Sequence, residues 1–418
     1  GRYEFDAEAT KKERLRLNIY TKESVSDLSS DYLQVFFSLS SSMEGGEETN
    51  IEKAPTSESG AGLEVKNLAK RIETLGKVKV ETSTELDKTI VSKDVHSDEE
   101  EDEPLPPRLR FVTPADVVDE TIIKNPETEE IYYVGTSGLK VTVVTGLEHL
   151  KKLTSLCLRS NFIRQVSEVA TLTTLTSLEL YENRLVSLDG VEHLVNLTNL
   201  DLSYNRLRSI DPKIFDNLVQ LERLHIAQNK LTDIGTGLEK LVKLRILDLG
   251  MNRIRRIEGL ETLVNLKELW LGKNKITEIE GLSTLKNLIR ISIQSNRIVK
   301  IGNGLGGLSS LEELYLSHQG IESIEGLENL NELNTLDLIH NKLTSTKGIP
   351  VESLPKLEDL WLSENQINSF EDLSHLGKLS NLQTIYLEHN PVAKDYEYRI
   401  RLGKIIPSLT QIDAVRRR

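Results

Sequence analysis

One frame, L-x-x-L-x-L-x-x-N-x-I/L, recurs eleven times between Leu153 and Val392, and it leaves the chain few ways to fold. Copies include LTSLCLRSNFI from Leu153, LKELWLGKNKI from Leu266 and LEDLWLSENQI from Leu357. The Asn of each copy falls at 161, 183, 205, 229, 252, 274, 296, 341, 365 and 390, with Gln319 in the eighth copy, giving steps of 22 to 25 residues. A fixed period of this length marks a solenoid, in which each turn buries its apolar face only against its neighbours.

Each residue type in the frame has a mechanical reason. The alternation L-x-L predicts a short strand whose Leu side chains point inward while the x side chains point the other way. One strand per turn stacks into a parallel sheet lining the inner, concave wall. The Asn amide both donates and accepts, so it can satisfy backbone groups where the chain leaves the sheet. The second half of a turn, such as RIEGLETLVNL from Arg256, is too short for a long helix and should run as turns or single helical turns. The expected fold is an α/β repeat: a leucine-rich-repeat solenoid over residues 139–418 with a parallel concave sheet and short 22-residue repeats. Exposed ends of a solenoid need covers. A degenerate half-repeat at 139–152 is the expected N-terminal cap. Residues 390–418 are the expected C-terminal cap, helical because Tyr398, Leu402, Ile405 and Ile406 recur at helical spacing.

The first 138 residues read differently. They hold 11 Leu, against 56 in the remaining 280 positions, and six of the eleven Pro. With the run DEEEDE at Asp98–Glu103, residues 43–138 read as an acidic disordered region. Residue 1 is Gly and the first Met is Met43, so residues 1–42 are expected to be an appended, disordered extension. Ser97 before the acidic run and Thr113 before Pro114 match simple kinase patterns, which makes the chain a candidate phosphoprotein.

Composition excludes several functions. A formal charge of -13 argues against a general nucleic-acid binder. No apolar run approaches the roughly 20 residues that span a bilayer. Lone Cys157 cannot form an internal disulfide, and no cysteine-rich caps flank the repeats, which favours a reducing compartment. Phosphate loops, H-E-x-x-H, paired Cys and G-x-S-x-G are all missing, so no enzyme activity, cofactor or metal is expected. Gly302–Gly307 reads as a turn in the outer half of a repeat. His318, His340 and His389 share one position of the frame, and an enzyme using these histidine loops is the rival from another class.

The mid-strand x of the eleven copies reads Cys157, Glu179, Asp201, His225, Asp248, Trp270, Ser292, Tyr315, Asp337, Trp361 and Tyr386. Four are acids, four are aromatic, and both tryptophans of the chain stand here, which is the composition of a protein-binding surface. The neighbouring column adds Glu268, Glu313 and Asp359, interrupted by Arg223 and Arg290.

The frame I-x-x-I-E-G-L-x-x-L at Ile254–Leu263 and Ile276–Leu285 closely resembles the nuclear regulatory subunit 7 family of type-1 serine/threonine protein phosphatase. LWLGKNKIT from Leu269, ELYLSHQGIESIEGLEN from Glu313, YLEHNPVAKDYEYR from Tyr386 and the closing PSLTQIDA carry the same likeness, over about residues 139–418. The resemblance implies a non-catalytic subunit whose concave acids and aromatics hold the phosphatase catalytic subunit. It would be a monomer within a hetero-oligomer, with room for a further phosphatase inhibitor protein, in the nucleus and cytoplasm. The matching positions are Asp201, Asp248, Trp270, Asp337, Asp359, Trp361 and Tyr386; His225 stands where the family has Phe, and Gln319 replaces the ladder Asn. Arg108-Leu109-Arg110-Phe111 loosely resembles a docking peptide of many phosphatase-1 partners, while the family likeness assigns binding to the solenoid. The rival binding reading is another intracellular leucine-rich-repeat scaffold of the axonemal dynein-associated or spliceosomal type.

Overall fold

The computed structural model describes residues 111–417. The expected extension 1–42, residues 43–110 and Ser97 lie outside the described residues. Thirteen parallel strands and one antiparallel closing strand form a single sheet in sequence order. After β1 (Glu130–Val134) come β2 (Ser155–Arg159), β3 (Ser177–Glu179), β4 (Asn199–Asp201), β5 (Arg223–His225) and β6 (Ile246–Asp248). Then follow β7 (Glu268–Trp270), β8 (Arg290–Ser292), β9 (Glu313–Tyr315), β10 (Thr335–Asp337), β11 (Asp359–Trp361) and β12 (Thr384–Tyr386). Registers are strict, with Leu200 beside Leu224 and Leu247 beside Leu269, so every inward Leu stacks on the next. A single helical turn α1 (Glu120–Ile123) precedes β1, and the return segments between strands include short 3-10 turns such as Val191–His193 and the single helical turn α2 (Pro212–Phe215). This is the leucine-rich-repeat solenoid that the frame predicts.

The ladder Asn residues do what their chemistry allows. Asn183 Oδ1 accepts from Ile163 N at 3.1 Å, and its Nδ2 donates to Leu158 O at 2.8 Å and Leu180 O at 3.0 Å. Asn252, Asn274 and Asn365 repeat the pattern. Gln319, one methylene longer, still donates to Ile293 O and accepts from Ile298 N. Just before the ladder residue every copy turns through a positive φ, from Ser160 at 56° to His389 at 62°. The E-G-L signature is also mechanical: Gly281 has φ 71°, and a Cβ there would lie 2.5 Å from Ile257 O of the preceding turn.

The structure corrects the N-terminal boundary. Residues 111–138, assigned to the acidic region by composition, are built into the solenoid: β1 pairs in parallel with β2, and Thr142 N donates to Val112 O at 2.7 Å. EIYYV has no Leu and no ladder Asn, so a search keyed to the frame passes over it. Thr113 caps a 3-10 turn, its hydroxyl donating to Asp116 Oδ2 at 2.7 Å, while Pro114 is buried. At the other end α3 (Phe370–Leu373) and α4 (Tyr398–Ile405) are followed by β13 (Gln411–Ile412), parallel to β12, and β14 (Val415–Arg416), which doubles back antiparallel. Buried Asp413 receives the N–H groups of Leu387 and Glu388 and pairs with Arg399 at 3.1 Å, tying helix to sheet edge. No helix among the described residues is long and apolar enough to cross a membrane.

Candidate protein-binding site

Strand parity decides which side chains the solenoid presents. Leu269, Leu314, Leu336 and Leu360 are fully buried, so Trp270, Tyr315, Asp337 and Trp361 issue from the opposite face of the sheet. On β9 to β12 the registers place Tyr315, Asp337, Trp361 and Tyr386 side by side. The rings of Trp361 and Tyr386 meet edge-on with centroids 6.2 Å apart, and the Tyr386 hydroxyl accepts from Gln411 Nε2 at 2.9 Å. Within this cluster the Trp361 indole N–H is buried without an acceptor among the described residues.

Asp337 departs from the expectation of a solvent-facing acid. It is 3% exposed, because the larger rings on both neighbouring strands lean over a short side chain. Ser292, in register between Trp270 and Tyr315, is also buried. Burial pushes the Asp337 carboxyl up to about 6, against the lowering effect of bonds from Ile339 N and the Ser317 side chain. Asp337 therefore underpins the aromatic cluster and is not one of its contact groups.

A charged network flanks the cluster. Arg290 on β8 donates from Nε and Nη2 to the two oxygens of Glu313, at 2.5 and 2.6 Å, and lies 3.5 Å from Glu268. Tyr315 Oη donates to Glu313 at 2.7 Å, and Trp270 Nε1 to Glu268 at 3.3 Å. Burial opposes ionisation of Glu313, but the bonds from Arg290 and Tyr315 outweigh it and hold the carboxyl below its usual range. The arginine that interrupts the acidic column in sequence thus locks both aromatic residues in place.

Toward the N-terminal end, His225 stands between Asp201 and Asp248 on adjacent strands, 3.9 Å from the Asp248 carboxylate. Burial disfavours its protonation, but the bond to Asp248 and the charges of Asp201 and Asp248 raise its pKa overall. Asp201 also lies 3.7 Å from Arg159. Both acids have a second task that the sequence reading missed. Asp201 Oδ1 accepts from Ser203 N and Asp248 Oδ1 from Gly250 N, each at 2.9 Å, and Asp337 does the same with Ile339 N. The shared signal is L-D-L before the ladder Asn, where an Asp can take the N–H two residues on. Asp359 is half-buried beside Trp361, and burial raises its pKa.

Sequence reasoning also missed Tyr132, which extends the outward column onto β1, and the Tyr181–Tyr204 pair with centroids 4.8 Å apart. Cys157 is 4% exposed, and burial with the nearby Glu179 charge pushes its thiol up to about 12. His318 and His340 stack at 4.7 Å, and His340 Nδ1 lies 2.7 Å from Glu364. No group of three or more metal-ligating residues occurs among the described residues.

Known families and structures agree with this architecture. Residues 195–254 and 307–417 match two families each described as leucine-rich repeat, and residues 242–284 and 264–307 match a two-copy leucine-rich-repeat family. No curated protein matches the chain. Among solved structures, an internalin of Listeria monocytogenes is 25% identical with a TM-score of 0.59, covering 68% of this chain and 79% of its own. A leucine-rich-repeat protein of Leptospira interrogans is 26% identical with a TM-score of 0.57, covering 72% of this chain and 87% of its own.

Proposed function

We propose that this chain, a leucine-rich-repeat protein and thus a scaffold suited to protein–protein interaction, is a non-catalytic regulatory subunit of type-1 serine/threonine protein phosphatase. The observation that carries the reading is the ring cluster Tyr315, Trp361 and Tyr386 on the concave sheet, beside Trp270 and the Glu268–Arg290–Glu313 network. Large rings on a sheet face with no second layer above them are typical anchors for a globular partner. The resemblance of residues 139–418 to the regulatory subunit 7 family supplies the partner's identity. His225 changes one contact of that pattern from an aromatic to a titratable ring.

On this reading the catalytic subunit seats against Trp270, Trp361, Tyr386 and Asp359, with Asp201, His225 and Asp248 facing its basic surface. The chain works in the nucleus and cytoplasm, as one copy in a hetero-oligomer that leaves room for an inhibitor protein. Titration of the full chain with purified type-1 catalytic subunit tests it. A stoichiometric complex lost on Trp361→Ala supports the assignment. Absence of any complex would turn the reading toward a scaffold of the axonemal dynein-associated or spliceosomal type.

A further inference from the structure

An open sheet has two edges, and this chain treats its two differently. The C-terminal edge is β14, two residues long, turned back antiparallel and followed by Arg417, whose guanidinium donates to Leu409 O at 2.7 Å. A very short strand bearing charge is how a protein blunts an edge. The N-terminal edge is β1, five residues long with neither Pro nor Lys. Gly135 N donates to Arg159 O at 2.9 Å and Glu129 O accepts from Ser155 N at 3.1 Å, so by strand parity residues 129, 131, 133 and 135 turn their backbone groups to β2. Glu130, Tyr132 and Val134 turn theirs the other way, where no backbone group among the described residues meets them. The N-terminal cap covers the core and leaves this edge alone. Its backbone reaches the loop after β1 instead: Val112 O accepts from Thr142 N at 2.7 Å, and Ile123 O lies 2.6 Å from His149 Nε2. Ile131 is thereby buried while Tyr132 stays 70% exposed. From Phe111 to Val134 the chain holds six acids, Asp116, Asp119, Glu120, Glu127, Glu129 and Glu130, against the single cation Lys124. Lys124 pairs with Glu120 and Lys152 with Glu127, whereas Glu130, on the edge strand itself, is exposed and makes no ion pair among the described residues.

We infer that the open edge of β1 takes up an extended, basic segment of a partner polypeptide as an additional strand. Main-chain pairing with Glu130, Tyr132 and Val134 supplies the affinity in such an addition, and alternate side chains supply the choice. On the outward face a Lys or Arg of the added strand stands beside Glu130 and an apolar side chain beside the exposed Tyr132 ring, one strand spacing of about 4.8 Å away. On the inner face the cap already buries Ile131, so only small residues fit there. Charge selects among possible occupants. Pairing β1 with the β1 of a second copy would set two acidic caps against each other, and a nucleic acid offers no row of N–H and C=O groups to the edge. A basic strand answers both the open backbone and the unpaired carboxylate. Trp270 on β7 lies six strands away, about 29 Å along the sheet, so this surface stands apart from the aromatic cluster.

The test is amide hydrogen exchange on the full chain, with and without the peptide Thr-Lys-Thr-Val-Thr-Lys-Thr-Val. In the peptide-free chain the Tyr132 and Val134 amides should exchange fast while those of Ile131 and Tyr133, bonded to β2, exchange slowly. Saturating peptide should slow Tyr132 and Val134 about tenfold or more. Glu130→Lys should weaken the peptide about fivefold, the scale of reversing one exposed ion pair, with Glu130→Gln between it and the parent. Two N-methylated peptides test the backbone pairing itself. Methylation of the Thr amides should abolish binding to a parallel added strand, and methylation of the Lys and Val amides to an antiparallel one. The inference is overturned if the peptide does not bind, if it binds without slowing Tyr132 and Val134, if both methylated forms bind as the parent peptide does, or if Glu in place of its Lys leaves affinity unchanged. Slow exchange of the two amides before peptide is added would also overturn it, and a dependence on protein concentration would then assign the edge to a second copy. Each of these readouts is independent of phosphatase binding.

Discussion

The rings of Tyr315 and Trp361 meet with centroids 6.1 Å apart across the strand that carries Asp337, and they seal its carboxyl from water. The most conspicuous part of the concave face is therefore built over a buried acid. The arrangement links partner recognition to stability, since the groups that form the surface also keep a charge out of solvent.

Asp337→Asn should stabilise the free protein at neutral pH. The folded carboxyl is raised by burial from 3.8 to about 6. A raised pKa contributes stability that is complete below the unfolded value and is lost as pH climbs through the folded one. At about 1.4 kcal/mol per unit, the loss between pH 4 and pH 7 is on the order of 3 kcal/mol. Asn keeps an oxygen for Ile339 N and carries no charge. Denaturant unfolding at pH 4.5 and 7.5 should show the variant's advantage growing at the higher pH; an advantage independent of pH would place the charge elsewhere.

Trp361→Ala should weaken binding of the type-1 catalytic subunit by about 2 kcal/mol or more, the usual cost of truncating a central anchor. Because Tyr315 and Tyr386 both lean on Trp361, the loss also unsettles its neighbours. Trp361→Phe keeps a smaller ring between them, giving up the unpartnered indole N–H together with part of the ring contact. Calorimetric titration of both variants should rank them parent, Phe, Ala in affinity.

Asn252→Ala should cost about 3 kcal/mol or more. It strips the acceptor from Leu231 N and the donor from Ile226 O and Leu249 O, all buried, and each orphaned group costs about 1–3 kcal/mol. Gln319→Asn should be far milder, since it restores the side chain of the other ten copies. Thermal unfolding of the two variants checks the contrast.

These cases show what the sequence makes legible. A ladder Asn repeats its environment with every turn, so one copy explains all, and the same holds for the inward Leu. Asp337 has no such signature. Its column position promised solvent, and only the sizes of Tyr315 and Trp361 on adjacent strands, brought together by a register spanning about two repeats, took it away. Arg290 read as an interruption because its two carboxylates, Glu268 and Glu313, lie one turn away on either side. Ile131 and Tyr132 were missed for the opposite reason: they join the sheet by pairing alone, outside the frame.

The last expectation concerns association rate. Asp201 and Asp248 bracket His225, whose raised pKa means the trio loses net negative charge when the ring is protonated. If the partner presents a basic surface, deprotonation of His225 should speed encounter, so the on-rate should rise with pH through a midpoint above the ordinary histidine value. Stability moves the other way: the pairing of protonated His225 with its carboxylates is complete below the unfolded pKa and is lost as pH rises through the folded one. Asp201→Asn with Asp248→Asn keeps the oxygens that accept from Ser203 N and Gly250 N, so the strand ends stay intact while the charge is removed. That pair should lower the on-rate and flatten both its salt and pH dependence, whereas Trp270→Ala, which removes buried contact area, should chiefly raise the off-rate. Stopped-flow measurements at two ionic strengths and three pH values separate the contributions. An on-rate indifferent to salt and to the Asn pair would remove electrostatic steering from the account and leave the aromatic anchors to stand alone.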